Sequence, residues 1–298
     1  MDYGSILKKS WEITWKNKGL WILGILSGCT SGVGHPSQTF TWKTSASENP
    51  ALGQAISRVP PETWLLIAGC LLVFILVFVA VVIVLSVLGQ AGLIAGVGHA
   101  DETGGVKLGE AWNLGRPHFW RLLGLAVLLF VVALLVALLV GFFVVVTFGL
   151  GMLCLVPLIC LGLPLAILIS AYLSLVQNDI VLGKRGVFEG LGEAWRLMRA
   201  HCWPVVLMGV ILFAIGLVAG FLLALPMLIA AIPLLAVTAT LARQGAVAYL
   251  PMVGCFLLYL PFLIVLGGIL KTYVSSVWTL TYRRLTAAGA AVVVPAPG

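Results

Sequence analysis

Long apolar runs alternate with short polar stretches along this chain, and three of those stretches carry one signature. Leu191-Gly192-Glu193-Ala194-Trp195 has a near copy at Leu108-Gly109-Glu110-Ala111-Trp112 and a looser one from Leu7 to Trp11. In each, Leu and Trp stand four residues apart, on one face of a helix. Basic residues follow closely, and then a long apolar run begins. The pattern predicts one unit used three times: a short amphipathic helix on a membrane surface, then a hydrophobic hairpin that enters the bilayer and returns.

Taken in order, residues 2–18 mix charge with Leu7, Trp11 and Trp15 and predict an interfacial helix with indole anchors. Residues 19–33 are a short, Gly-rich apolar segment, the weakest span. Within it, Leu26-Ser27-Gly28-Cys29 has the form of a lipoprotein processing box. The long preceding region, with Asp2 and Glu12 and its match to the later copies, favours an uncut chain. Residues 30–61, rich in Ser, Thr, Gly and Pro, predict an outer loop. Residues 62–98 form one long span, and 99–117 a polar return that contains the second Trp helix. Spans over 118–146 and 150–177 follow, with kinks expected at Pro157 and Pro164. Residues 178–200 read as a second polar return with the third Trp helix. Spans over 203–236 and about 247–280 complete the pattern, and a tail from Ala287 to Gly298 is expected to be disordered. The repeat units are thus about 2–98, 106–180 and 187–284, within one transmembrane domain over 1–286.

Composition fixes the class. The 298 residues are 61% hydrophobic and 9% charged, against roughly 25% charged in soluble domains. The expected fold is all-α: a polytopic membrane helix bundle of about six transmembrane helices, arranged as three parallel repeats. A β-barrel would show alternation of about ten residues per strand, which the unbroken Leu/Val/Ile runs lack.

The net charge of +7 belongs to loops that face anionic head groups, and no nucleic-acid partner is expected. With six spans and the N-terminus inside, the inner segments hold Lys8, Lys9, Lys16, Lys18, Lys107, Arg116, Arg121, Lys184, Arg185, Arg196, Arg199, Arg283 and Arg284. The outer loops hold Lys43, Arg58 and Arg243, and Lys271 snorkels near an inner end. That asymmetry places both termini in the cytoplasm.

Candidate chemistry is sparse. Transport coupled to ions leaves ionisable groups at mid-membrane, and the expected spans contain almost none. The histidines His35, His99, His118 and His201 avoid span centres, although His118 and His201 each follow a repeat Trp by six residues. No metal-ligand spacing, phosphate loop or nucleophile elbow is present, so no cofactor and no catalytic residue is expected. Glu110 and Glu193 match one another and are expected to start a helix or pair with a nearby base, Arg196 in the case of Glu193. The polar residues collect at the faces, which makes Trp11, Trp15, Trp112, Arg116, Trp195, Arg196, Arg199, Trp278, Arg283 and Arg284 candidate contacts to lipid or partner. Gly92 with Gly96, and Gly216 with Gly220, are candidate packing faces, either within the monomer or between copies.

Three stretches carry a resemblance. They are Trp11-Glu12-Ile13-Thr14-Trp15-Lys16-Asn17-Lys18-Gly19-Leu20-Trp21-Ile22-Leu23-Gly24, Phe188-Glu189-Gly190-Leu191-Gly192-Glu193-Ala194-Trp195-Arg196 and Val277-Trp278-Thr279-Leu280-Thr281-Tyr282-Arg283-Arg284. Together they resemble a broad group of uncharacterised bacterial multi-pass proteins, similar to the membrane domain fused to some glycerophosphodiester phosphodiesterases. The resemblance implies a bacterial plasma-membrane setting and about six helices. The chain lacks a soluble phosphodiesterase domain, so the resemblance carries over no catalytic residue. The functional expectation is a non-enzymatic protein that contacts membrane lipids, other membrane subunits or a second copy of itself. The alternative is a transporter or exporter of a hydrophobic or lipidic molecule.

Overall fold

The computed structural model describes residues 2–28, 61–147, 151–241 and 250–293. Among them there is no strand, and the fold is an all-α helical bundle. Five helical stretches among the described residues are long and apolar enough to cross a membrane: Leu66–Thr103, Leu108–Phe143, Pro164–Leu182, Cys202–Pro226 and Leu257–Ala287. Of the segment expected over 19–33, the described part ends at Gly28. The helix there, Gly19–Gly28, has 10 residues, about 15 Å of helix against a hydrocarbon core of roughly 30 Å. Cys29 and the expected outer loop lie outside the described residues.

The first helix, α1 (Tyr3–Lys16), starts at Asp2, whose carboxylate accepts from the Ser5 N–H at 3.3 Å. Its buried face is Ile6, Ser10, Ile13 and Thr14, which turns the Trp11 and Trp15 indoles outward. Asn17 ends α1 and donates to the Ile13 carbonyl. Its side-chain oxygen accepts from the Val106 N–H at 2.9 Å, tying this turn to a later one. The short α2 (Gly19–Gly28) is stapled back onto α1 by the Trp21 indole, which donates to the Thr14 carbonyl.

The long α3 (Pro61–Thr103) runs through His99-Ala100-Asp101-Glu102, which polarity alone assigned to a loop. It stops at Gly104, whose φ of 80° is a left-handed cap that suits glycine. Next come α4 (Leu108–Gly115), a 3-10 turn over Arg116–His118, and α5 (Phe119–Val146). Glu110 accepts from the Lys107 N–H at 3.1 Å and so starts α4, as the sequence suggested. The helix α6 (Gly151–Leu182) passes through Pro164 and includes Asn178 and Asp179, again beyond the expected loop boundary. It is followed by α7 (Val187–Ala200), α8 (Cys202–Leu241) and α9 (Leu250–Val293). Thus α9 extends into the tail that was expected to be disordered; the Ala-rich stretch favours helix.

The buried core lies at one end of the bundle. Leu20, Leu23, Leu93, Ile94, Leu125, Leu175, Ile180, Met208 and Leu285 are fully buried there. Beyond it, side chains over 66–81, 130–143 and much of 213–226 are exposed, and they are nearly all apolar. Lipid tails are as apolar as leucine, so burial does not drive helices together inside a bilayer. Small residues and hydrogen bonds do. The packed end has both. A Cβ on Gly96 would lie 2.8 Å from Ala111 Cβ and 3.0 Å from Leu20 Cδ2. Gly115 sits directly on the backbone of Gly92. Gly24 and Gly268 bring α2 and α9 into backbone contact. The Gly92 and Gly96 pair therefore packs within the monomer. A Cβ on Gly216 or Gly220 would meet no atom of another element within 4 Å among the described residues, which corrects their reading as an internal packing face.

Candidate functional site at the polar end of the bundle

The polar end is organised by α9. Thr272 donates to the Leu20 carbonyl of α2 at 3.1 Å. Thr279 donates to Asn178 Oδ1 of α6 at 2.8 Å. Tyr282 donates to Asp179 Oδ1 of the same helix at 2.5 Å. Arg283, the next residue, turns to α3: it pairs with Asp101 at 2.7 Å and Glu102 at 2.6 Å and donates to the Gly98 carbonyl. Lys9 of α1 closes on the same Asp101.

A second chain of charge runs outward from Asp179. Arg185 lies 3.8 Å from Asp179 and 3.2 Å from Glu193, and Glu193 holds Arg196 at 2.6 Å. The expected Glu193–Arg196 pair is therefore present. Its equivalence with Glu110 is positional only, since Glu189, which accepts from the Gly186 N–H, is the residue that starts α7. Desolvation alone would lower the basicity of Arg185; the negative charges of Asp179 and Glu193 outweigh it and hold the guanidinium above its ordinary value.

These contacts gather α3, α6 and α9 with α1 and α2 at one end. The helices α1, α4 and α7, which carry the Leu-x-x-x-Trp spacing, lie at that same end. Tyr172 of α6 donates to the Leu191 carbonyl of α7, and Arg121 of α5 donates to the Lys184 carbonyl at 2.5 Å. Ala111 and Ala194, one residue before each repeat Trp, are both buried against the core.

The candidate contact residues separate into two sets. Trp11, Trp15 and Trp195 are exposed by 54%, 45% and 46%. Trp195 stacks edge-on to Tyr172 and carries the Arg199 guanidinium 4.9 Å above its ring. Arg116, Arg196, Arg199 and Arg284 are exposed as well, and Trp112 is half-buried. Two expectations are corrected. Trp278 is buried in the core, near Gly209, and presents no surface for lipid. Arg283 is an internal clasp between α9 and α3.

Sequence reasoning missed Trp120 and Trp203, each 76% exposed. The signal was readable: each follows its repeat Trp by eight residues. It also missed the buried Asn178, Asp179, Thr279 and Tyr282, and the Gln90–Gln177 hydrogen bond of 2.9 Å between α3 and α6.

Between the ends of α3, α6 and α9 opens a cleft of about 630 Å³. His99 and Glu102, His118, Lys184 and Arg185, and Tyr282 and Arg283 line it, with Leu114, Val181 and Leu182 on its apolar side. Lys184 has a φ of 55°, and its ammonium makes no ion pair among the described residues.

No curated protein and no solved structure matches this chain. Residues 140–285 match the model of a family described as a domain of unknown function (DUF7847), a stretch that begins late in α5 and ends within α9.

Proposed function

We propose that this chain is a non-enzymatic, multi-pass protein of a bacterial plasma membrane, with both termini cytoplasmic, that works as a lipid-contacting scaffold or as an accessory subunit of a membrane complex. The helices α1, α4 and α7 form its cytoplasmic face. In this reading α1, α4 and α7 are three copies of one interfacial ledge, and each launches an outgoing helix. The observation that carries the proposal is the division of the surface. Exposed indoles and guanidinium groups share one end with the polar networks, whereas the described helices beyond that end present apolar side chains. Indoles and cations settle at head groups, and bare aliphatic helix settles in lipid tails.

The test replaces Trp112, Trp195, Arg196 and Arg199 together with Ala. Native mass spectrometry then follows wild type and variant from gently solubilised membranes. The expected result is loss of co-purifying lipid or of a protein partner from the variant. Identical lipids and partners on both proteins would refute the proposal.

A further inference from the structure

We infer that the cleft between the ends of α3, α6 and α9 is a binding site for a phosphate group carried by an anionic lipid. The inference rests on the reading of this end as the head-group face. The cleft's size of about 630 Å³ admits a head group together with the first carbons of its chains.

Its walls have the two chemistries that such a ligand needs. Lys184, Arg185, Arg283 and His118 supply N–H donors, and Leu114 and Leu182 supply an apolar flank. Arg185 and Arg283 are already engaged by carboxylates, so they are held in place and part of their charge is spoken for. Lys184 is not. Its backbone is fixed by the Arg121 guanidinium, which donates to the carbonyls of Lys184 and, at 3.5 Å, of Arg185. The loop thus presents an ammonium without a counter-ion to a cleft whose one lining carboxylate, Glu102, is bound to Arg283. A basic pocket between helix ends, at the depth where spans stop, suits a lipid phosphate. A cationic ligand has no matching wall.

The experiment uses the full chain in an uncharged maltoside detergent, with binding read by native mass spectrometry. The probes are dihexanoyl phosphatidylglycerol, dihexanoylglycerol without phosphate, and inorganic phosphate. The informative variant is Lys184→Gly, which removes the ammonium and suits the left-handed backbone at this position. Lys184→Asn, which also tolerates that backbone, replaces it should the glycine variant fail to fold.

The expected result is phosphatidylglycerol binding that falls about five- to tenfold in the variant, with no competition from dihexanoylglycerol. Competition by inorganic phosphate at equal concentration, itself weakened by the substitution, would keep the phosphate site and assign it to a free phosphate. Equal phosphatidylglycerol binding by wild type and variant, or equal competition by dihexanoylglycerol, overturns the inference. If the variant keeps the lipid while the Trp112, Trp195, Arg196 and Arg199 variant loses it, the cleft falls and the reading of the face stands.

Discussion

The phenol of Tyr282 donates to Asp179 across 2.5 Å, and both side chains are buried, at 6% and 1% exposure. The other carboxylate oxygen of Asp179 is enclosed without a hydrogen-bond partner among the described residues. Tyr282→Phe would remove the one short bond that this carboxylate makes. We expect a loss of about 1–2 kcal/mol of stability, read as a lower midpoint in thermal unfolding followed by circular dichroism in detergent. Combining it with Asp179→Asn should cost less than the sum of the two single changes. Strict additivity would show that the contact is not energetically coupled.

Adjacent arginines should behave differently. Arg283 bridges α9 to two carboxylates and a carbonyl of α3, whereas Arg284 is exposed. Arg283→Ala leaves Asp101 and Glu102 short of a partner and should lower stability by on the order of 2 kcal/mol. Arg284→Ala should stay within about 0.5 kcal/mol of wild type. Side-by-side melting curves check this, and equal effects would contradict the assignment of Arg283 as a clasp.

The glycines divide in the same way. Gly96→Ala sets a methyl 2.8 Å from Ala111 Cβ, and Gly115→Ala drives one into the backbone of α3. Both should reduce folded yield and melting temperature. Gly216→Ala and Gly220→Ala meet open space and should be neutral, or stabilising by up to about 1 kcal/mol from helix propensity. A loss of stability at Gly216 or Gly220 would point to a second chain seated on α8.

Sidedness can be measured directly. In a background without the native cysteines, single cysteines at Lys9, Arg116 and Arg196 are expected to react with an impermeable maleimide in inside-out vesicles. They should stay protected in right-side-out vesicles. Labelling of any one of them from the opposite side would break the proposed common orientation of the three ledges.

The order of elements was legible because the Leu-x-x-x-Trp spacing and the length of the apolar runs are local signals. The polar interior was not. Asn178 and Asp179 interrupt an apolar run, and polarity in a sequence is ordinarily read as exposure. Here their partners Thr279 and Tyr282 lie 101 and 103 residues away, so nothing nearby announces that they are satisfied. Trp278 was misplaced for a related reason. An indole close to two arginines matches an aromatic belt, but periodicity along a helix does not say which face meets a neighbour. The same limit separates Gly96 from Gly216: the spacing is shared, and the neighbour is not.

Because α9 supplies the hydrogen bonds that hold α2, α3 and α6, assembly has a built-in order of events. The ribosome delivers α9 well after those helices have entered the membrane, and Thr272 must then find Leu20 across 252 residues of sequence. Until it does, Asp179 lacks the Tyr282 hydroxyl, Asp101 has Lys9 but not Arg283, and the seam around Gly24 lacks Gly268 and Thr272. Chains stalled before α9 should therefore be the ones that membrane proteases remove, and supplying α9 as a separate fragment should rescue them.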